Sequence, residues 1–126
     1  MEGVVFLKLI PVNSDERGEV WDILNETVAH VGMLPTKKGA MRGNHYFKTS
    51  KRYAFVLSGK FEVFLASASS SEKIEKHIME KGDLVEIPPG IIHTFIALED
   101  SILIGMDTVS RAKDGYEKEM VRVKII

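Results

Sequence analysis

The sequence predicts an all-β fold, a sandwich or small barrel, and three observations carry that expectation. Short apolar, β-branched and aromatic runs recur along the 126 residues, turn residues separate them at roughly even intervals, and only one short stretch has helical character. Such a length forms one domain and buries a core without covalent staples. No repeat or linker divides the chain, so residues 1–126 read as a single unit.

The first strand is VVFLKLIPV. Glu2 precedes it and Lys8 interrupts it, whereas a secretory leader needs a basic start and a longer apolar run, so a cytoplasmic protein is expected. No segment approaches the length needed to span a bilayer. After the breaker NSDERG come EVWDIL and VAHVGML, and PTKKG ends that group. RYAFVL and KFEVFLA flank the turn Ser58–Gly59. The serine-rich tip Ser67–Ser71 should form a mobile hairpin end before KIEKHIM. EKGD, PPG and LEDS then punctuate DLVEI, HTFIAL and SILIGM, and MVRVKII closes the series. A short helical turn is expected around Arg111–Glu119.

Several runs are apolar on both faces. Tyr53, Phe55 and Leu57 alternate with Ala54 and Val56, and Phe95 and Ala97 on the side of His93 alternate with Ile96 and Leu98. A one-sided antiparallel sheet alternates polar and apolar more cleanly. A second layer must therefore cover the outer face, from this chain or from another subunit, and a homodimer is expected.

With no cysteine, disulfides, thiolate metal sites and cysteine nucleophiles are excluded. Net charge is −1 but unevenly spread. No acid falls between Thr27 and Phe61, while Lys37, Lys38, Arg42, Lys48, Lys51, Arg52 and Lys60 do, leaving ten basic against eighteen acidic residues elsewhere. This stretch reads either as a solvated strand edge or as a site for a phosphate or diphosphate. No basic helix or aromatic ladder points to nucleic acid.

Two glycine-anchored segments carry the chemistry. GAMRGNHYFKTSKRYAFVLSG runs from Gly39 through His45, Phe47 and Arg52 to Gly59, and GDLVEIPPGIIH runs from Gly82 through Pro88, Pro89 and Gly90 to His93. Their spacing resembles the two motifs of the cupin superfamily. That resemblance implies a double-stranded β-helix, a jelly-roll barrel with its ligand site at the mouth. The family's usual metal site takes two histidines and a glutamate from the first motif and a histidine from the second. Here His45 and His93 match, but Phe47 and Arg52 stand in the other two positions. A phenyl ring cannot ligate and a guanidinium repels a cation, so no metal is expected, with His45 and His93 as a reduced alternative pair.

Arg42-Gly43-Asn44-His45-Tyr46, followed by a basic residue and the Ser-Gly turn, resembles cupins that act on nucleotide-linked 4-keto-6-deoxy sugars. These are the dTDP-4-dehydrorhamnose 3,5-epimerases and the dTDP-4-keto-6-deoxyglucose 3,4-ketoisomerases. Asp15-Glu16-Arg17-Gly18 is similar to the epimerases' nucleotide-holding segment. The resemblance implies His45 as the base that removes a proton beside the ketone. It implies Arg52, seven residues before Gly59, as the cation that stabilises the enolate. His93 would orient the sugar or relay a proton. Arg17, Arg42 and Lys48 would hold the nucleotide sugar, with His30 and Phe47 at the cavity. No cofactor is implied, and the partner is a small molecule.

The chain also departs from both families. Met106 falls near the epimerases' tyrosine acid, their C-terminal aspartate has no counterpart, and the ketoisomerases' upstream tyrosine leaves only His30 as a candidate. A non-catalytic cupin that binds a sugar, a small anion or a metal is the alternative. His77 reads as a solvated strand residue, and Tyr46 and Trp21 as packing or rim residues.

Overall fold

The computed structural model describes residues 1–126, with the side chains of all but Ser71 and Lys113. The order of elements is β1 (Val5–Lys8), β2 (Asn13–Asp15), β3 (Gly18–Val20), β4 (His30–Thr36), β5 (Met41–Phe47), β6 (Arg52–Ser58), β7 (Lys60–Ser67), β8 (Ser70–Glu80), β9 (Asp83–Ile87), β10 (Ile91–Ala97) and β11 (Ser101–Asp107). A single 3-10 turn (Ala112–Asp114), a short helix α1 (Gly115–Glu119) and β12 (Met120–Arg122) follow.

The strands pair antiparallel in two five-stranded sheets, β1-β9-β6-β11-β4 and β12-β5-β10-β7-β8, with β2 and β3 as a separate ribbon. One core cluster joins their inner faces: Ala54 and Val56 of β6 and Leu103 of β11 meet Phe61 and Val63 of β7 and Phe95 of β10. The sheets therefore pack face to face as an all-β jelly roll, with the apolar alternation of each strand turned inward.

Part of the outer face of the first sheet is covered by the chain itself. Tyr53, Phe55, Leu84 and Met106 pack under Leu9, Trp21, Ile23, Leu24 and Val28, and the Trp21 indole meets Phe55 edge-on at 6.4 Å. This explains why EVWDIL forms a strand only as far as Val20. Beyond that point its apolar residues serve as a lid on the sheet rather than as ladder partners.

The serine-rich tip is the turn between β7 and β8; the Ser71 side chain lies outside those described. His77 is not simply solvated, because its ring stacks on Phe6 at 4.3 Å and its Nε2 lies 3.2 Å from Glu75 Oε1. Among the described residues, no helix is long and apolar enough to cross a membrane.

Candidate active site

Between the two sheets lies a cavity of about 310 Å³. Each of its two walls is a row of cross-strand neighbours. In the second sheet His45 of β5 stands directly across from His93 of β10. In the first sheet Asp107 of β11 stands between His30 of β4 and Arg52 of β6.

The histidine wall depends on an irregular backbone. Gly43 (φ 113°) and Asn44 (φ 59°) both take positive φ, and the β5–β10 register shifts at His93/Thr94. A Cβ on Gly43 would come within 2.3 Å of the His93 carbonyl oxygen, so only glycine fits. Asn44 fixes the bulge: its N–H donates to Thr94 Oγ1 (3.1 Å), and its Oδ1 accepts from Thr94 Oγ1 (2.9 Å) and from the N–H of Ile125 (3.0 Å). The Gly-Asn pair in the first motif is thus what places His45 against His93, ring centroids 4.7 Å apart and nearly perpendicular.

Both imidazoles are short of partners. His93 Nδ1 bonds the Ile91 carbonyl (3.1 Å), but the Nε2 atoms of His45 and His93 are buried with no partner among the described residues. Burial, followed by the charge of Arg52, lowers the His45 pKa from 6.5 to about 4. Burial, then His45 and Arg52, pushes His93 well below its ordinary value. Both rings are therefore neutral at physiological pH. His45 is in its basic form there, but it is a weaker base than a free histidine.

The members of the opposite wall are bonded to one another. Arg52 Nε donates to Asp107 Oδ1 (2.5 Å), and its Nη2 donates to Asp107 Oδ2 (3.0 Å) and to the Tyr116 hydroxyl (2.8 Å). His30 Nδ1 lies 3.1 Å from Asp107 Oδ2. Burial alone would lower the Arg52 pKa, but the bond and charge of Asp107 hold it above its ordinary value. Arg52 is thus not a bare cation: Asp107 compensates it, and Nη1 is left toward Gly105, where a Cβ would stand 3.7 Å away.

Tyr116 reaches the cavity because α1 is anchored. Glu119 Oε1 accepts from the backbone N–H of Thr49, from Thr49 Oγ1 (2.7 Å) and from the N–H of Ser50 (2.7 Å).

Of the eight residues expected at the site, His30, Arg42, His45, Arg52 and His93 line the cavity. Arg42 sits at its rim, donating to Thr36 Oγ1 (3.3 Å) and the Pro35 carbonyl (3.0 Å). Three others do not line it. Phe47 is buried behind the histidines, its ring 5.6 Å from His45 and 5.4 Å from Tyr116. Arg17 is exposed on the β2–β3 ribbon and paired with Asp15 (2.7 Å). Lys48 is exposed outside the cavity.

The basic stretch disperses in the same way, since only Arg42 and Arg52 of its seven members line the cavity. Met106 faces the covering layer with Tyr53 and Phe55, away from the ligand space. Sequence reasoning missed Asp107, Tyr116 and Arg111. Asp107 had one visible signal, an acid ending the apolar run SILIGM.

A divalent metal does not fit these residues. Phe47 occupies the space behind the two imidazoles, and the Arg52 guanidinium lies 5.4 Å over its ring. Among the described residues no group of three or more His, Cys, Asp or Glu side chains is placed to hold a metal ion.

A cupin family profile matches residues 18–122. The chain is a cupin. No curated protein sequence gives a significant match. Among solved structures, this cupin is similar to dTDP-4-dehydrorhamnose 3,5-epimerase from Sulfolobus tokodaii, with a TM-score of 0.80 and 25% identity over 100% of this chain and 81% of that one. It is also similar to a 3'-monoepimerase, ChmJ, from Streptomyces bikiniensis in complex with dTDP-quinovose (TM-score 0.81, 19% identity, 98% of this chain and 70% of that one). A third is the sugar 3,4-ketoisomerase QdtA from Thermoanaerobacterium thermosaccharolyticum in complex with TDP (TM-score 0.80, 15% identity, 97% and 89%).

Proposed function

We propose that this cupin acts on a nucleotide-linked keto-deoxysugar as a metal-independent isomerase or epimerase that removes the proton beside the ketone. The observation that carries the reading is a neutral imidazole with an unbonded Nε2, His45, in one cavity with the Arg52 guanidinium. General-base removal of an α-proton needs such a base, and the enolate it produces needs a donor fixed in advance.

In the proposed step His45 takes the proton and the C–H electron pair passes into the enolate. Arg52 Nη1 faces the developing oxyanion, while Nε and Nη2 stay on Asp107 and Tyr116. His93 bounds the sugar beside His45. Arg42 and Arg111 at the cavity lining hold the diphosphate. A diphosphate and an enolate both bring negative charge toward His45, which raises its basicity from the depressed value of the free protein. Likeness to an epimerase named for a dTDP sugar, to a monoepimerase in complex with dTDP-quinovose and to a ketoisomerase in complex with TDP supports this ligand class.

The same reading includes a homodimer in the cytoplasm. The support for the dimer is the part of the outer sheet face that the N-terminal segment leaves bare, where Val31 (61% exposed), Met33 (63%) and Leu57 (43%) stand. A second reading, a binding cupin without turnover, is favoured by one observation: Asp107 compensates the charge of Arg52.

Proton NMR in D2O with dTDP-4-keto-6-deoxyglucose separates the two. Catalysis predicts loss of the signal of the proton next to the ketone with wild-type protein and none with His45→Ala. Binding of dTDP without exchange would favour the second reading, and neither binding nor exchange would remove the sugar-nucleotide class.

A further inference from the structure

The third imidazole in the cavity has a role that the motif spacing does not assign. His30 opens β4 directly across the ladder from Asp107, and its Nδ1 is bonded to Asp107 Oδ2 (3.1 Å). Asp107 is fully buried and bonded to Arg52 through both oxygens. A carboxylate in that position has only acceptors to offer, so the hydrogen of the His30 bond sits on Nδ1. The neutral ring is thereby fixed as one tautomer, with its lone pair on Nε2.

No described residue bonds that Nε2, and the side chain is 23% exposed where it lines the cavity. The backbone makes room for it. A Cβ at Gly32 would come within 3.0 Å of His30 Cε1 and 3.5 Å of Nε2, so glycine is what lets the ring lie where it does. A buried carboxylate, an oriented imidazole and a free second nitrogen form a proton-transfer unit.

Tyr116 is the rival for this role. Its hydroxyl is already bonded to Arg52, its ring lies between Phe47 and Arg111, and it is only 7% exposed. His45 and His30 belong to opposite sheets and line the same cavity, so a flat enolate bound between the walls would have one imidazole on each side.

We propose that His30, oriented by Asp107, is the second catalytic proton-transfer group of this cavity, and that with His45 it makes the reaction an inversion at the carbon beside the ketone. The proposal rests on the sugar-nucleotide reading above. One imidazole Nε2 takes the carbon-bound proton and the C–H electron pair moves into the enolate. The enolate then takes a proton at the same carbon, on its other face, from the second imidazole, which enters that step as imidazolium and leaves it neutral. The product is the epimer, no electrons are lost or gained, and proton exchange with solvent resets the pair.

The test is proton NMR in D2O with dTDP-4-keto-6-deoxyglucose, comparing wild type with His30→Asn. Wild type should incorporate deuterium beside the ketone and yield epimer resonances. His30→Asn should still incorporate deuterium through His45, while epimer formation falls by at least about 100-fold. Epimer formation by His30→Asn at the wild-type rate overturns the inference alone. So does a wild-type product whose ketone has migrated with no inverted centre. No incorporation by wild type overturns it together with the sugar-nucleotide reading. If His30→Asn does not fold, the nitrogen-15 spectrum of wild-type His30 decides. Hydrogen held on Nδ1 in both protonation states, with Nε2 as the nitrogen that gains and loses the proton, supports the inference; a neutral ring with its hydrogen on Nε2 overturns it.

Discussion

The two walls of the cavity are built by the same device, a row of residues directly opposed across strands, yet they meet their polar needs in opposite ways. On the β6–β11–β4 wall, Arg52, Asp107, His30 and the incoming Tyr116 hydroxyl satisfy one another. On the β5–β10 wall, two buried Nε2 atoms have no partner among the described residues. A buried polar atom without a partner costs stability, so one retained in a folded chain has a reason, such as a bound water, an ion or a catalytic role. One wall is therefore tied together chiefly by bonds within the protein, while the other keeps two buried nitrogens without a partner among the described residues. The charged wall should matter most for folding, although its open atoms, Arg52 Nη1 and His30 Nε2, share the proposed chemistry with His45.

The largest effect should come from breaking the charged wall. Asp107→Ala leaves the buried Arg52 guanidinium without its counter-charge, and we expect a loss of about 3–5 kcal/mol in a denaturant melt, as for other buried pairs stripped of one partner. A loss below about 1 kcal/mol would mean that the wall is not the structural one.

Acid should act through the other wall, with a defined sign. The folded-state pKa of His45 is depressed to about 4 from 6.5, and that of His93 is depressed as well. The unfolded chain therefore takes up protons on these rings as the pH drops below about 6.5, while the folded protein does not until about 4. The stability held by neutral histidines is complete above the unfolded value and lost across that window, on the order of 3 kcal/mol for His45. Urea melts at pH 7 and pH 4.5 measure the loss, and it should be smaller in His93→Leu than in wild type.

At pH 7 the smallest stability change belongs to the same variant. His93→Leu removes an unbonded buried nitrogen together with the bond to Ile91, so we expect stability within about 1 kcal/mol of wild type but much weaker turnover. A variant that melts far earlier would erase the contrast between the walls.

Much of the fold was legible because it rests on local rules. Alternation in RYAFVL and HTFIAL separated inward from outward residues, and the glycine and proline anchors placed His45 against His93. The second layer over Tyr53 and Phe55 was also foreseeable, although its source, residues 9–28 of the same chain, was not. Arg52 and His30 were named, but the charged wall that joins them through Asp107 escaped because its members lie far apart in the chain and meet only through register. Asp107 is 55 residues from Arg52 and 77 from His30. Tyr116 enters only because Glu119 ties α1 to the turn at Thr49 and Ser50. Spacing within a motif carries no information about such pairings. For the same reason the run of basic residues looked like one patch, when most of its members point away from the cavity.

The most direct test of the contrast is an NMR titration of the His45 ring in the wild-type protein, alone and with dTDP bound. A wall left open for an anionic ligand predicts a midpoint near about 4 in the free protein and a clear rise when dTDP occupies the cavity. A midpoint near about 6.5 that dTDP does not move would contradict it, because His45 would then be neither buried in a partnerless wall nor next to the bound nucleotide.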